Sequence, residues 1–156
     1  MITTALMAFL HHLMAFTLTA CLVYEFIAYR KDMSVEEARR IQRVDLVYGI
    51  SAGLLLIVGL LRVFFFEKGI NFYIHSPFFW VKMVTFAIVG VMSIDPTIRY
   101  LRWNQILKEN QAPAVSPAGM ISETEFKRTR LLLSLELTGL VIILFSAAAM
   151  ARGLGM

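Results

Sequence analysis

The chain has 156 residues, 58% of them hydrophobic, with a mean hydropathy of +0.70 and a net charge of +4. That is too apolar for a soluble domain of this size, and the absence of a Gly-rich phosphate loop, a nucleophile elbow or an HExxH pattern excludes a soluble hydrolase, a nucleotide-binding protein and a zinc enzyme. A lone cysteine, Cys21, excludes an internal disulfide and any CxxC zinc site. The basic residues flank hydrophobic segments, which speaks for a lipid bilayer and against nucleic acid.

The first 24 residues contain no Lys, Arg, Asp or Glu. Roughly 20 apolar residues at about 1.5 Å each cross the hydrocarbon as helix, so a first spanning helix is expected over 4–29. Met-Ile-Thr-Thr lacks a basic leader, so no secretory signal is expected. Arg30 and Lys31 follow as surface anchors, and Ser34-Val-Glu-Glu37 reads as a capping box. The polar turn it opens runs into a second spanning helix, 44–66, containing Gly49-x-x-x-Gly53, a spacing that lets backbones approach. Residues 67–71 read as a turn.

Phe72, Tyr73, Phe78, Phe79 and Trp80 form an interfacial aromatic cluster. Ser76-Pro77 starts a third helix, 77–93, which Asp95-Pro96 is expected to end or kink, with 97–108 as a surface helix. Residues 111–119 read as a loop. Ser122-Glu-Thr-Glu125 is a second capping box and opens the fourth helix, 123–152. The expected fold is all-α: one integral-membrane four-helix bundle, 1–156. Five Lys/Arg in 30–43 and six in 99–130 predict that the two loops, 30–43 and 94–122, are cytoplasmic and that both termini lie outside. The localisation that follows is the bacterial inner membrane.

Ionisable residues inside spans are costly and call for a role. His11, Leu18 and Glu25 share one helical stripe, while His12 points away. Tyr48, Ser51, Leu55 and Arg62 share another, and Lys82, Thr85, Phe86, Val89 and Met92 a third. Depth counting puts His11, Arg62 and Lys82 in the outer half. Tyr24, Glu25, Asp45, Asp95 and Glu136 fall in the inner half. One reading is a cofactor site, in which a neutral His11 ligates haem iron and outer cations neutralise propionates. The other is a set of internally satisfied polar groups, with Arg62 and Lys82 reaching headgroups, Asp45 structural, and His12 and His75 at the surface. Glu136 is expected to pair with Arg43 or Arg99, or to relay protons.

The sequence resembles a small uncharacterised family of four-helix bacterial membrane proteins, a domain of unknown function. More remotely it resembles the HemJ-type protoporphyrinogen IX oxidases. The residues that carry the likeness are His11 with Thr17, Ala20, Leu22 and Tyr24; Arg43-Val-Asp-Leu-Val-Tyr-Gly-Ile50; Phe79-Trp-Val-Lys82; and Glu136. A second histidine late in the third helix, common in the oxidases, is replaced here by Val91-Met-Ser-Ile-Asp95. The resemblance implies a haem b or porphyrin-binding oxidoreductase. His11 would be the metal ligand, Arg62 and Lys82 would hold the cofactor, Lys82 and Glu136 would be catalytic, and electrons would pass to quinone. The alternative is a non-catalytic membrane scaffold, an assembly protein or a small homo-oligomer, whose polar residues would then be interhelical pairs. A transporter is weaker, since no inverted repeat relates the two halves.

Overall fold

The computed structural model of the chain describes residues 1–66, 70–109 and 121–154, with the side chains of 71, 72 and 104–109 left aside. Helix α1 is Ile2–Ala28 and α2 is Val35–Leu61, continued without a break by a π-helical turn at Arg62–Phe66. A short helix α3, Ile70–Ile74, precedes α4, Pro77–Glu109, and α5 is Glu123–Ala151. Four of these, α1, α2 with its π turn, α4 and α5, are long and apolar enough to cross a membrane. The readings of 67–69 as part of a turn and of 111–119 as a loop lie outside the described residues.

Both capping boxes form. The Ser34 hydroxyl accepts from the Glu37 amide, and Glu37 accepts back from the Ser34 amide at 2.7 Å. Ser122 and Glu125 repeat the arrangement at the head of α5. These caps satisfy first-turn amides where each helix starts at the polar edge. Consequently α2 begins at Val35, and the basic stretch 35–43 is about its first two and a half turns.

The expected stop at Asp95-Pro96 is not made: α4 runs through Pro96 to Glu109 as one helix. Proline removes one backbone bond, but tertiary contacts hold both flanks. Pro96 is fully buried. Thr97 donates to Asp45 of α2 at 2.8 Å, and the Tyr100 carbonyl accepts from Gln42. One turn further on, Tyr100 and Trp103 enter the main core.

That core lies toward the basic end of the bundle and centres on Tyr29. Its ring stacks on Phe126 at 5.6 Å and Trp103 at 6.2 Å, nearly parallel to both. Arg130 of α5 donates to the carbonyls of Phe26 and Tyr29, which α1 leaves open at its C-terminus, and its guanidinium lies 4.6 Å from the Phe26 ring centre. Arg99 bridges Asp95 and Glu125, while Arg128 takes the other Asp95 oxygen. A smaller cluster, Val63, Tyr73 and Phe79, closes the opposite end.

The helices pair as α1 with α2 and α4 with α5, and α2 meets α4 much less closely. Gly139 explains the second pairing. A β-carbon there would stand 2.4 Å from Val89 Cγ2, so only glycine lets α4 and α5 seat this closely. By contrast, a β-carbon at Gly49 or Gly53 would meet nothing within 4 Å. Within the chain, the Gly49-x-x-x-Gly53 spacing therefore serves no close approach.

Candidate functional site

Three spanning helices bring His11, Arg62 and Lys82 to one neighbourhood. His11 stands on the inward stripe of α1, two turns above Leu18, which is buried. Its imidazole sits against Gly59 of α2: a β-carbon at that glycine would lie 3.2 Å from Cε1 and 3.5 Å from Nδ1. Nδ1 is buried and has no hydrogen-bond partner. The Arg62 and Lys82 cations are both close enough for their charges to act on the ring, and on each other. Arg62 opens the π-helical turn, and Lys82 rises one turn into α4 with its ammonium 5.8 Å from the Phe79 ring centre. The short α4 opening is anchored beside it by Trp80, whose indole donates to the Ile74 carbonyl at 2.9 Å.

His12 is exposed, as expected of a residue pointing away, and its Nδ1 lies 2.7 Å from the Ala8 carbonyl on its own helix. Its ring meets that of His11 edge-on, with centres 6.1 Å apart.

Glu136 belongs to a second polar layer. From His11 to Glu25 along α1 is 14 residues, about 21 Å of helix. At the Glu25 level α1, α2 and α5 bring three buried carboxyls, Glu25, Asp45 and Glu136, within charge range of one another. Tyr48 donates to Glu136 Oε2 at 3.4 Å. Glu25 Oε1, Glu136 Oε1 and the Tyr100 hydroxyl are buried without partners. The expected Glu136 partners lie elsewhere: Arg99 is taken by Asp95 and Glu125, and Arg43 by its own helix at the Arg39 carbonyl. A phenol fills the place where an arginine was expected, because Tyr48 sits on the inward stripe of α2 at the Glu136 level and the arginines stay at the bundle's polar rim.

Tyr48 and Tyr100 are thus site residues that the charged residues alone did not reveal. For Tyr48 the available signal was a tyrosine inside an apolar span, where a buried hydroxyl needs a partner; Tyr100, between Arg99 and Arg102, carries no such signal. Asp45, read as structural, is indeed held by Thr97. Among the described residues, no group of three or more His, Cys, Asp or Glu is arranged to hold a metal ion.

Among the clefts that the described residues form, two stand apart from His11. One, about 330 Å³, lies between α1 and α5 beside Phe26, Lys127 and Arg130. The other, about 180 Å³, lies between α2 and α4, with Tyr48 and Ser93 in its wall. Neither is lined by His11.

No curated protein and no solved structure matches the chain. A family model does match, over residues 3–155, and its description is "Predicted membrane protein (DUF2214)". With nearly the whole chain covered and four helices able to span a bilayer, the protein belongs to the DUF2214 family of predicted membrane proteins.

Proposed function

We propose that the chain is a multi-pass protein of the bacterial cytoplasmic membrane, its termini on the outer side, that binds a carboxylate-bearing tetrapyrrole, with haem b foremost, at His11, Arg62 and Lys82. The observation that carries this reading is the meeting of those three residues from three helices, with the imidazole Nδ1 left unpartnered. The donor set fits the group: one imidazole for iron and two cations for the propionates. The reading rests on these donors.

When bound, haem supplies one-electron redox chemistry. The chain's own residues do the rest. Gly59 makes room for the His11 ring and fixes where it stands. Arg62 and Lys82 neutralise carboxylates at the outer end, where Lys82 would touch the ligand. Glu136 and Tyr48, some 21 Å deeper by the α1 rise, offer a proton-holding pair to the inner layer. A membrane quinone is the electron partner this reading requires.

The test is an absorption spectrum of the detergent-purified protein from haem-replete cells, oxidised and dithionite-reduced, beside His11→Ala. A Soret band with a reduced α-band, lost in the variant, is expected. A colourless wild type overturns the haem reading.

A second reading, a non-catalytic scaffold or assembly protein, is favoured by one observation: Glu136–Tyr48 and Asp45–Thr97 are satisfied across helices within the chain. Under it, His11→Ala and Lys82→Ala leave every property of the folded protein unchanged.

A further inference from the structure

The inner polar layer, at the level of Glu25, stands about 21 Å of helix from His11, and only its Glu136–Tyr48 pair has been given a use. We infer that the whole layer is a reversible proton-binding site: Glu25 and Glu136 share a proton beside the Tyr48 and Tyr100 hydroxyls, and exchange it with water at the basic end of the bundle alone. This goes beyond the tetrapyrrole reading and does not depend on it.

Three observations select a proton as the occupant. The first is charge. Glu25 of α1 faces Asp45 of α2 and Glu136 of α5, with Cys21 on its own helix. Glu136 faces Tyr48 and Asp45, and Tyr100 of α4 stands in charge range of all three carboxyls and of Tyr29. Among the described residues, no cation acts on either glutamate. Arg130, nearer the rim on α5, is committed to the Phe26 and Tyr29 carbonyls. Ionised together, the three carboxyls would repel one another in a low dielectric with nothing to offset them, and carboxyls so placed hold a proton in common. A metal ion does not take its place, because among the described residues no group of His, Cys, Asp or Glu is arranged to hold one.

The second is hydrogen bonding. Glu25 and Glu136 are 2% and 1% exposed, and one oxygen of each has no partner in the chain. The Tyr100 hydroxyl, on a residue 1% exposed, is likewise unpartnered and comes from α4. An ionised carboxylate only accepts, and a bound proton turns one of these oxygens into a donor. Buried polar groups left unmatched are costly, so the proton completes the layer.

The third is access. Glu25 lies within one turn of the end of α1 at Ala28, and Asp45 keeps 8% of its surface exposed, so water stands close on the basic side. Toward His11 the way is shut by Leu18 and Leu22 of α1 and Leu140 of α5, all buried. A proton that enters adds one positive charge and leaves by the route it came. The layer stores a proton and does not conduct it.

The experiment is infrared difference spectroscopy of the full chain in nanodiscs, between acid and alkaline buffer; its readout is the carboxyl carbonyl band and owes nothing to haem. A protonated-carboxyl band should appear on acidification and shift in heavy water. It should fall by about half or more in Glu25→Gln and in Glu136→Gln, whose amides keep the side-chain volume. Tyr100→Phe should move the titration midpoint of the band by about one pH unit, a change of about tenfold in proton affinity. Circular dichroism reports whether each variant folds, and where a glutamine variant does not, the Tyr100→Phe shift decides. A band indifferent to pH, a band that survives both glutamine variants, or a midpoint unmoved by Tyr100→Phe overturns the inference. So does a proton flux across proteoliposomes that Glu25→Gln abolishes, since the layer would then be part of a conducting path.

Discussion

The seam between α4 and α5 and the seam between α2 and α4 both contain glycine, and they use it in opposite ways. At Gly139 the missing side chain is filled at once by Val89, and the helices close on each other. At Gly53 and Gly90 the missing side chains are left as empty space that faces lipid. In a membrane, where apolar surface gains nothing by leaving lipid for protein, close packing is what binds helices. A small residue therefore marks either a bond between helices or a gap between them, and only the neighbour decides which.

The largest effect should come from breaking the closed seam. Gly139→Ala places a methyl 2.4 Å from Val89 Cγ2, and overpacking of this kind costs about 1–3 kcal/mol. A lowered unfolding midpoint in detergent is expected, with recovery in the Gly139→Ala/Val89→Ala double variant. A single variant as stable as the wild type would show that the seam is looser than described.

Next comes the tie that holds α1 to α5. Arg130→Met removes the donor to the Phe26 and Tyr29 carbonyls and the cation over the Phe26 ring. A loss of about 1–3 kcal/mol is expected for charged hydrogen bonds of this sort. Chemical denaturation should report it, together with easier proteolysis near residues 29–34.

The smallest effect belongs to the open seam. Gly53→Ala and Gly90→Ala add a methyl where nothing stands within 4 Å. Stability should change by no more than about 0.5 kcal/mol, and helix propensity pushes it slightly upward. If either alanine destabilised the protein as much as Gly139→Ala does, the two seams would not differ and the comparison would fail.

Much of the fold was legible because the bilayer imposes it locally. Charge-free runs of spanning length, and two Ser-x-x-Glu boxes at the polar edge, are readable without knowing any neighbour. The inward stripes were legible for the same reason: Leu18 and Glu25, Tyr48 and Ser51, and Val89 are all buried. What one helix's sequence does not carry is the register of another helix beside it. Glu136 looked for an arginine because charge is visible in sequence, and found Tyr48 because the two side chains reach each other across the bundle, between helices that are not packed on one another. The small-xxx-small spacing pointed to Gly49 and Gly53, while Gly59 and Gly139 make the close contacts. Pro96 looked like an end because its local rule is strong, and packing around Thr97, Tyr100 and Trp103 overrode it. The grouping of His11, Arg62 and Lys82 was reachable by counting depth; the cleft, which depends on where side chains are missing, was not.

The length of α4 has a consequence for the bilayer itself. From Lys82 to Asp95 there are 13 residues, about 20 Å of helix, and Asp95 is tied into the ion-pair network with Arg99 and Arg128. The hydrocarbon of an ordinary membrane is about 30 Å thick. Along this one helix the protein is about 10 Å short, and the shortfall is divided between the upward reach of Lys82 and thinning of the lipid. Lys82 stands in charge range of His11 and over the Phe79 ring, so a carboxylate that holds it there takes up that reach and leaves the lipid more of the mismatch. Occupancy of the His11 neighbourhood and membrane thickness are thereby coupled, so a ligand that recruits Lys82 should be held more tightly in short-chain lipids than in long-chain ones.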